Sequence, residues 1–233
     1  MALTSYLTRT QRLLHDPNAV FYPQPDLIDY INEARTQIAA QAMCVRILPP
    51  SLVPGQNLTV LSQEVYTFAS VNPIIQANFP GVDSILGVVT IAVNQGDTLR
   101  PALNQMAWSD FQAYLRAYNI GLENYPTAFA QYGQGAMGSV YMWPIPSGAY
   151  SMDWDCYCLP AALTSDTDPE VIPYPWTDAI QFYAAYKAYL NSQRPDDAAA
   201  MWAEFGKFMD RATAFSNQIM IPGFYGTNSN MPT

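Results

Sequence analysis

Apolar residues recur at helical spacing at both ends of the chain and at strand spacing in the middle. Leu3, Tyr6, Leu7, Thr10, Leu13 and Leu14 form one stripe of an amphipathic helix, which His15-Asp16-Pro17-Asn18 ends. A second helix is predicted from Pro25, a residue suited to a first turn, with Asp26 and Asp29 where the helix dipole favours negative charge. Its buried stripe reads Leu27, Ile28, Ile31, Ala34, Ile38 and Ala42, and Leu48-Pro49-Pro50 closes the helical region.

Between Leu58 and Leu159 the texture changes to short runs of Val, Ile, Tyr and Thr punctuated by Gly, Pro and Asn, which predicts strands and turns. Strands are expected at 58–62, 65–70, 84–93, 98–103, 139–143 and 150–159, with a hairpin at Asn94-Gln95-Gly96-Asp97. Ser109-Asp110-Phe111-Gln112 has the spacing of a capping box, and Trp108, Phe111, Leu115 and Tyr118 share a helical face, so a short helix interrupts the strands.

Helical periodicity returns with Trp176, Ile180, Tyr183, Lys187 and Leu190. A second stripe follows in Met201, Trp202, Phe205, Phe208, Met209, Ala212, Phe215 and Ile219. The two helices join at Arg194-Pro195, and the segment after residue 219 has neither charge nor periodicity. The expected class is α+β. The N-terminal helical pair (1–48) and the C-terminal pair (173–219) form one bundle, with an inserted β-rich lobe (49–172) and an extended arm (220–233).

Composition narrows the function classes. Only 12% of the 233 residues are charged while half are hydrophobic, the opposite of a disordered chain. Nineteen acidic against ten basic residues give a net charge of -9, unsuited to gripping nucleic acid through its phosphates. Charge depletion with 16 Tyr, 10 Phe and 5 Trp suits a surface covered by partner subunits. Met1 to Thr10 lacks the basic start and apolar run of a secretory signal, so a cytosolic protein is expected. The uncharged stretch from Asn124 to Met152 carries three prolines and several glycines and cannot cross a membrane as a helix.

Candidate chemistry is sparse. Asp153 and Asp155 alternate on one strand face, about 7 Å apart at strand rise, a spacing that glycosidases use; alternation on a solvated face gives the same pair. The acidic run from Asp166 to Glu170 lacks calcium-loop spacing and reads as a solvated turn. A zinc site would need Cys44, Cys156, Cys158 and His15 together, yet Cys156 and Cys158 at i and i+2 of a strand read as core residues, and His15 as the end of its helix. No phosphate-binding glycine motif or nucleophile elbow is present, so neither cofactor, metal nor catalytic residue is assigned.

Three stretches carry a resemblance: Pro23 to Arg35 with its Ile31-Asn32-Glu33-Ala34-Arg35; Tyr141-Met142-Trp143-Pro144-Ile145-Pro146 with the return strand from Tyr150 to Pro160; and Asp168 to Pro175 leading into Trp176-Thr177-Asp178-Ala179-Ile180. Together they resemble the head-to-tail connectors of tailed bacteriophages, the neck or adaptor proteins that dock beneath the portal ring. The resemblance implies a non-enzymatic virion protein made in the host cytoplasm. It implies a ring, of twelve copies by the portal's symmetry, that joins portal to tail or nozzle protein and passes DNA through its lumen without specific binding. It further implies a portal-binding arm with Pro222, Gly223, Phe224, Tyr225, Asn228, Asn230 and Met231, and inter-subunit helix faces carrying Arg35, Tyr186, Tyr189, Trp202 and Phe208. Two alternatives stay open: a cell-wall hydrolase using Asp153 or Asp155, and a stopper or tail-tube component lower in the neck.

Overall fold

The computed structural model describes residues 3–47, 58–94, 101–117 and 121–219, with side chains to residue 214. Helix α1 (Leu3–Leu13) buries Leu3, Tyr6, Leu7 and Thr10 along the expected stripe, and Leu14 just beyond it. A Schellman motif ends it: Asp16 N–H bonds the Gln11 carbonyl (3.0 Å), His15 N–H bonds that of Arg12 (3.2 Å), and His15 adopts φ 54°. Helix α2 (Gln24–Ala42) buries Leu27, Ile31, Ala34, Ile38 and Ala39, while Ile28 and Ala42 are half-buried. Its last turn closes on left-handed Met43, whose N–H bonds the Ala39 carbonyl at 3.0 Å.

The middle of the chain runs β1 (Arg46–Ile47), β2 (Val65–Thr67), α3 (Phe68–Asn78), β3 (Val82–Val93), β4 (Asn104–Gln105) and α4 (Trp108–Asp110), the last passing into a π-helical turn at Phe111–Arg116. Then come β5 (Glu123–Asn124), β6 (Ala128–Tyr132), β7 (Ser139–Trp143), β8 (Ile145–Pro146) and β9 (Met152–Pro160), and finally α5 (Ile180–Asn191) and α6 (Pro195–Ile219). Among the described residues the strands form sheets ordered β1-β9-β3, β2-β7-β6-β4 and β5-β8, antiparallel except for β4 on β6 and β5 on β8. The protein is α+β, as its patterning predicts. It divides into two compact units at Thr4/Ser5, Ala34/Arg35 and Pro173/Tyr174; the first holds the sheets with α3, the second most of α1, the first half of α2, and α5 with α6.

Several elements depart from the sequence expectation. The expected strand at 58–62 reduces to a single bridge from Leu58 to Ser151, followed by a turn in which Ser62 is left-handed at φ 60°. The strand expected at 65–70 stops at Thr67, whose hydroxyl caps α3 by accepting from Ser70 N–H. Helix α3 has Pro73 in its interior, where proline forfeits a backbone bond, and so reads as a breaker in the sequence. Strand β6 sits in an Ala- and Gln-containing stretch without β-branched residues, where only Phe129 and Tyr132 favour a strand and the signal is weak. Ser109, expected as an N-cap, lies inside α4, whose cap position is Ala107. Residues 95–97 of the expected hairpin, 98–100 of the strand after it, and Tyr118 lie outside the described residues. The flanking chain nevertheless pairs as a return strand would, with Ala102 opposite Ala92.

Strand β9 lies at the centre of its sheet. Met152, Trp154, Cys156, Cys158 and Pro160 are buried on one face, so the predicted two-residue alternation holds. Strand β3 has β9 on one side only. Several of its backbone groups bond other partners instead: Ile85 N–H donates to the Asn72 side chain (3.0 Å), Val88 N–H to that of Gln131 (2.9 Å), and the Asp83 carbonyl accepts from Gln76. Beyond these, the Ile91 carbonyl accepts from Leu103 N–H (2.7 Å) and Val93 N–H donates to the Pro101 carbonyl (3.2 Å).

Candidate functional site

In the second unit, α5 and α6 form an antiparallel hairpin, because ring contacts descend in register: Tyr186 with Trp202 (5.0 Å between centroids), Tyr183 with Phe205 (5.4 Å) and Phe182 with Phe208 (4.8 Å). A second Schellman motif, through Gln193 and Arg194, makes the reversal between them. The sequence stripe therefore serves first as the seam of this hairpin. Trp202 remains 46% exposed, with Tyr186 and Phe208 half-buried, so these three of the expected face residues keep accessible surface.

Two residues expected on inter-subunit faces lack such surface. Tyr189 is buried: its hydroxyl donates to the Leu13 carbonyl (2.9 Å), its ring meets Tyr22 edge-on, and the Arg194 guanidinium lies 4.9 Å from its centroid. Arg35 is fully buried. Its guanidinium forks onto Glu170, with Nε 3.1 Å from Oε2 and Nη2 3.0 Å from Oε1, while Nη1 donates to the Ala161 carbonyl at 2.6 Å. The side chains are 1% and 4% exposed. Both residues are internal fasteners, a role sequence reasoning missed because the charge on a helix stripe does not reveal its partner 135 residues away.

The Ile31 to Arg35 motif now has a physical role at each end. Ile31 and Ala34 are buried, Glu33 takes the Lys187 ammonium at 2.7 Å and the Tyr183 hydroxyl at 3.2 Å, and Arg35 takes Glu170. The hydrogen bond from Lys187 to Glu33 outweighs burial and raises the lysine's pKa. Burial, reinforced by the negative charge of Glu33, raises that of the Tyr183 phenol.

The acidic run at Asp166 to Glu170 is a stitched loop rather than a simply solvated turn. Asp166 accepts from Thr4 N–H (2.7 Å) and hydroxyl (2.5 Å), which lowers its pKa. Asp168 accepts from Thr164 N–H (2.6 Å) and Ser165 N–H (2.8 Å) and from both hydroxyls, which holds its carboxyl down at about 2. Glu170 is the buried partner of Arg35 and also accepts from Ile172 N–H at 2.9 Å.

Asp155 is buried and forms an ion pair with Arg46, with Nε at 2.8 Å, while Asp153 is half-buried on the same strand. Both carboxylate oxygens of Asp155 are thereby occupied by the Arg46 guanidinium. Burial pushes the thiols of Cys156 and Cys158 up, the latter to about 12, and that of half-buried Cys44 to about 12 as well. High thiol pKa values disfavour the thiolate that nucleophilic or ligand chemistry requires. His15 is exposed at its helix end. Among the described residues no three His, Cys, Asp or Glu side chains gather to hold a metal ion, and no helix is long and apolar enough to cross a membrane. The expected arm residues Pro222, Gly223, Phe224, Tyr225, Asn228, Asn230 and Met231 lie outside the described residues.

An α+β chain whose buried charges fasten its own segments, and whose aromatic rings partly face outward, has the make-up of a protein built to contact other proteins. The family model of the SU10 adaptor protein matches residues 1–221, so the chain belongs to that phage head-tail adaptor family. Its role is that of a structural adaptor of a phage virion. No curated protein matches the chain significantly.

Proposed function

We propose that the protein forms a ring beneath the portal of a tailed phage, joins it to the tail or nozzle protein, and lines part of the channel through which DNA leaves. The observation that carries this reading is the extent of the family match, which runs through both units and leaves only 12 of 233 residues beyond it. The exposed rings of Trp202, Tyr186 and Phe208 supply apolar surface for neighbouring copies. The net charge of -9 suits a lumen that repels phosphate and lets a duplex slide. Residues Pro222 to Met231 serve as the arm that docks on the portal, and the copy number is twelve by match to that ring.

Native mass spectrometry of the full chain, alone and mixed with the portal ring of the same genome, tests this reading. Addition of twelve copies per portal is the expected result, and deletion of residues 222–233 abolishes it with the fold intact by circular dichroism. Failure to bind the portal while binding the nozzle protein would reassign the chain to a lower neck component.

A further inference from the structure

The second unit carries an apolar projection and an apolar recess that do not fill each other. The projection is the loop after α1. Val20 is 72% and Phe21 82% exposed, yet the loop is held fast: the buried Asp16 carboxylate accepts from the N–H groups of Val20 (2.9 Å), Phe21 (2.8 Å) and Tyr22 (2.9 Å). Burial works against ionisation there, but the three backbone donors prevail and the Asp16 pKa falls. A large apolar ring held out in water on an ordered loop is pre-organised for burial elsewhere, since little conformational freedom is left to lose.

The recess is a groove of about 270 Å³ formed by Tyr174, Pro175, Asp178, Phe208, Arg211 and Ala212. Tyr174 is 73% exposed at its rim. The charges beside the two features are opposite. Asp26 shares a depression with Phe21 and is exposed, and Arg211, exposed at the groove, lies over the Phe208 ring at 5.5 Å. Neither makes an ion pair among the described residues, whereas Asp178 is paired with Arg9.

We infer that Phe21 of one copy inserts into the Tyr174, Phe208 and Ala212 groove of the next, with Asp26 of the first facing Arg211 of the second. This inference rests on the ring reading above and names its contact. Projection and recess are different surfaces, so the contact is head-to-tail, the kind that closes into a ring rather than a two-fold dimer.

The test uses full-length chains with Cys44→Ser, one batch carrying Phe21→Cys and the other Tyr174→Cys, mixed and oxidised alone and on the portal ring. Mixed-chain disulfides are expected, without pairs between two Phe21→Cys chains. Phe21→Asp weakens association of copies by about 30-fold, the loss typical of a hot-spot ring. Asp26→Arg and Arg211→Asp each weaken it, and the double reversal restores it. Phe21 is exposed, so the Phe21→Asp chain keeps the wild-type circular dichroism. Assembly of wild type without a mixed disulfide, or with Phe21→Asp harmless, overturns this contact and leaves the ring standing. Loss of portal docking in Phe21→Asp with no mixed disulfide assigns the ring to the portal instead and also overturns it. A wild-type chain that never assembles, even on the portal, overturns the ring reading itself.

Discussion

Replacing Glu170 by Gln isolates the worth of the buried ion pair in the first unit. The substitution keeps the volume and an acceptor for Ile172 N–H, but leaves the Arg35 cation in a site where the two side chains are 1% and 4% exposed. Three guanidinium contacts, at 3.3, 3.1 and 3.0 Å, lose their ionic component together. Breaking one side of such a pair costs about 3–5 kcal/mol, most of it the penalty of the charge left behind. With a urea slope of about 2–3 kcal/mol/M, a loss of about 4 kcal/mol lowers the unfolding midpoint by about 1.5 M. Equilibrium urea titration followed by tryptophan fluorescence reads this through Trp154, which is fully buried in the same unit. The double variant R35M/E170Q removes the stranded cation as well, and recovers most of the loss. A cost below about 1 kcal/mol for E170Q, or a double variant as unstable as the single, would refute the assignment of the penalty to a stranded charge.

Three further outcomes follow from the same geometry. Asp168 has a folded pKa of about 2 against an ordinary 3.8, so its contribution is complete above the ordinary value and is lost as pH falls through about 2; the stability gap between wild type and D168N, from urea titrations at several pH values, should close across that window. Gly138→Ala would drive a Cβ into the buried Phe68 ring, and a loss of about 1–3 kcal/mol is expected in thermal unfolding at fixed pH. Alkylation of the native chain at pH 8 should be slow at all three cysteines, with Cys156 and Cys158 reacting only after denaturant is added, as peptide mass mapping would show.

What the sequence made legible was periodicity. The stripes of α1, α2, α5 and α6 and the alternation along β9 fall within a residue or two of their expected places, because one buried face per element leaves a regular signal. Helix α3 was hidden by Pro73 and by a composition that suits strands equally well, and β6 by its Ala and Gln content. Surface and interior were harder to separate. Arg35 and Tyr189 share their helices with outward-facing residues, and only their partners Glu170 and Leu13, distant in sequence, show that they point inward. The Phe21 projection had no periodic signature; its sole sequence cue was an Asp at the end of a helix, a residue type whose carboxylate readily collects backbone N–H groups.

The side-chain amides along β3 bear on how copies of this protein can meet. A twelve-residue strand with one open side is the standard invitation to a foreign strand, and the risk grows when many identical chains are crowded together. Here Asn72, Gln76 and Gln131, with the chain at 101–103, occupy the vacant hydrogen-bonding positions at Asp83, Ile85, Val88, Ile91 and Val93. An edge bonded at these positions is a poor template for its own extension. In the proposed ring, recognition between copies along this strand would fall to side chains, which encode a partner and a stoichiometry, and not to backbone pairing, which accepts any extended chain and has no natural end.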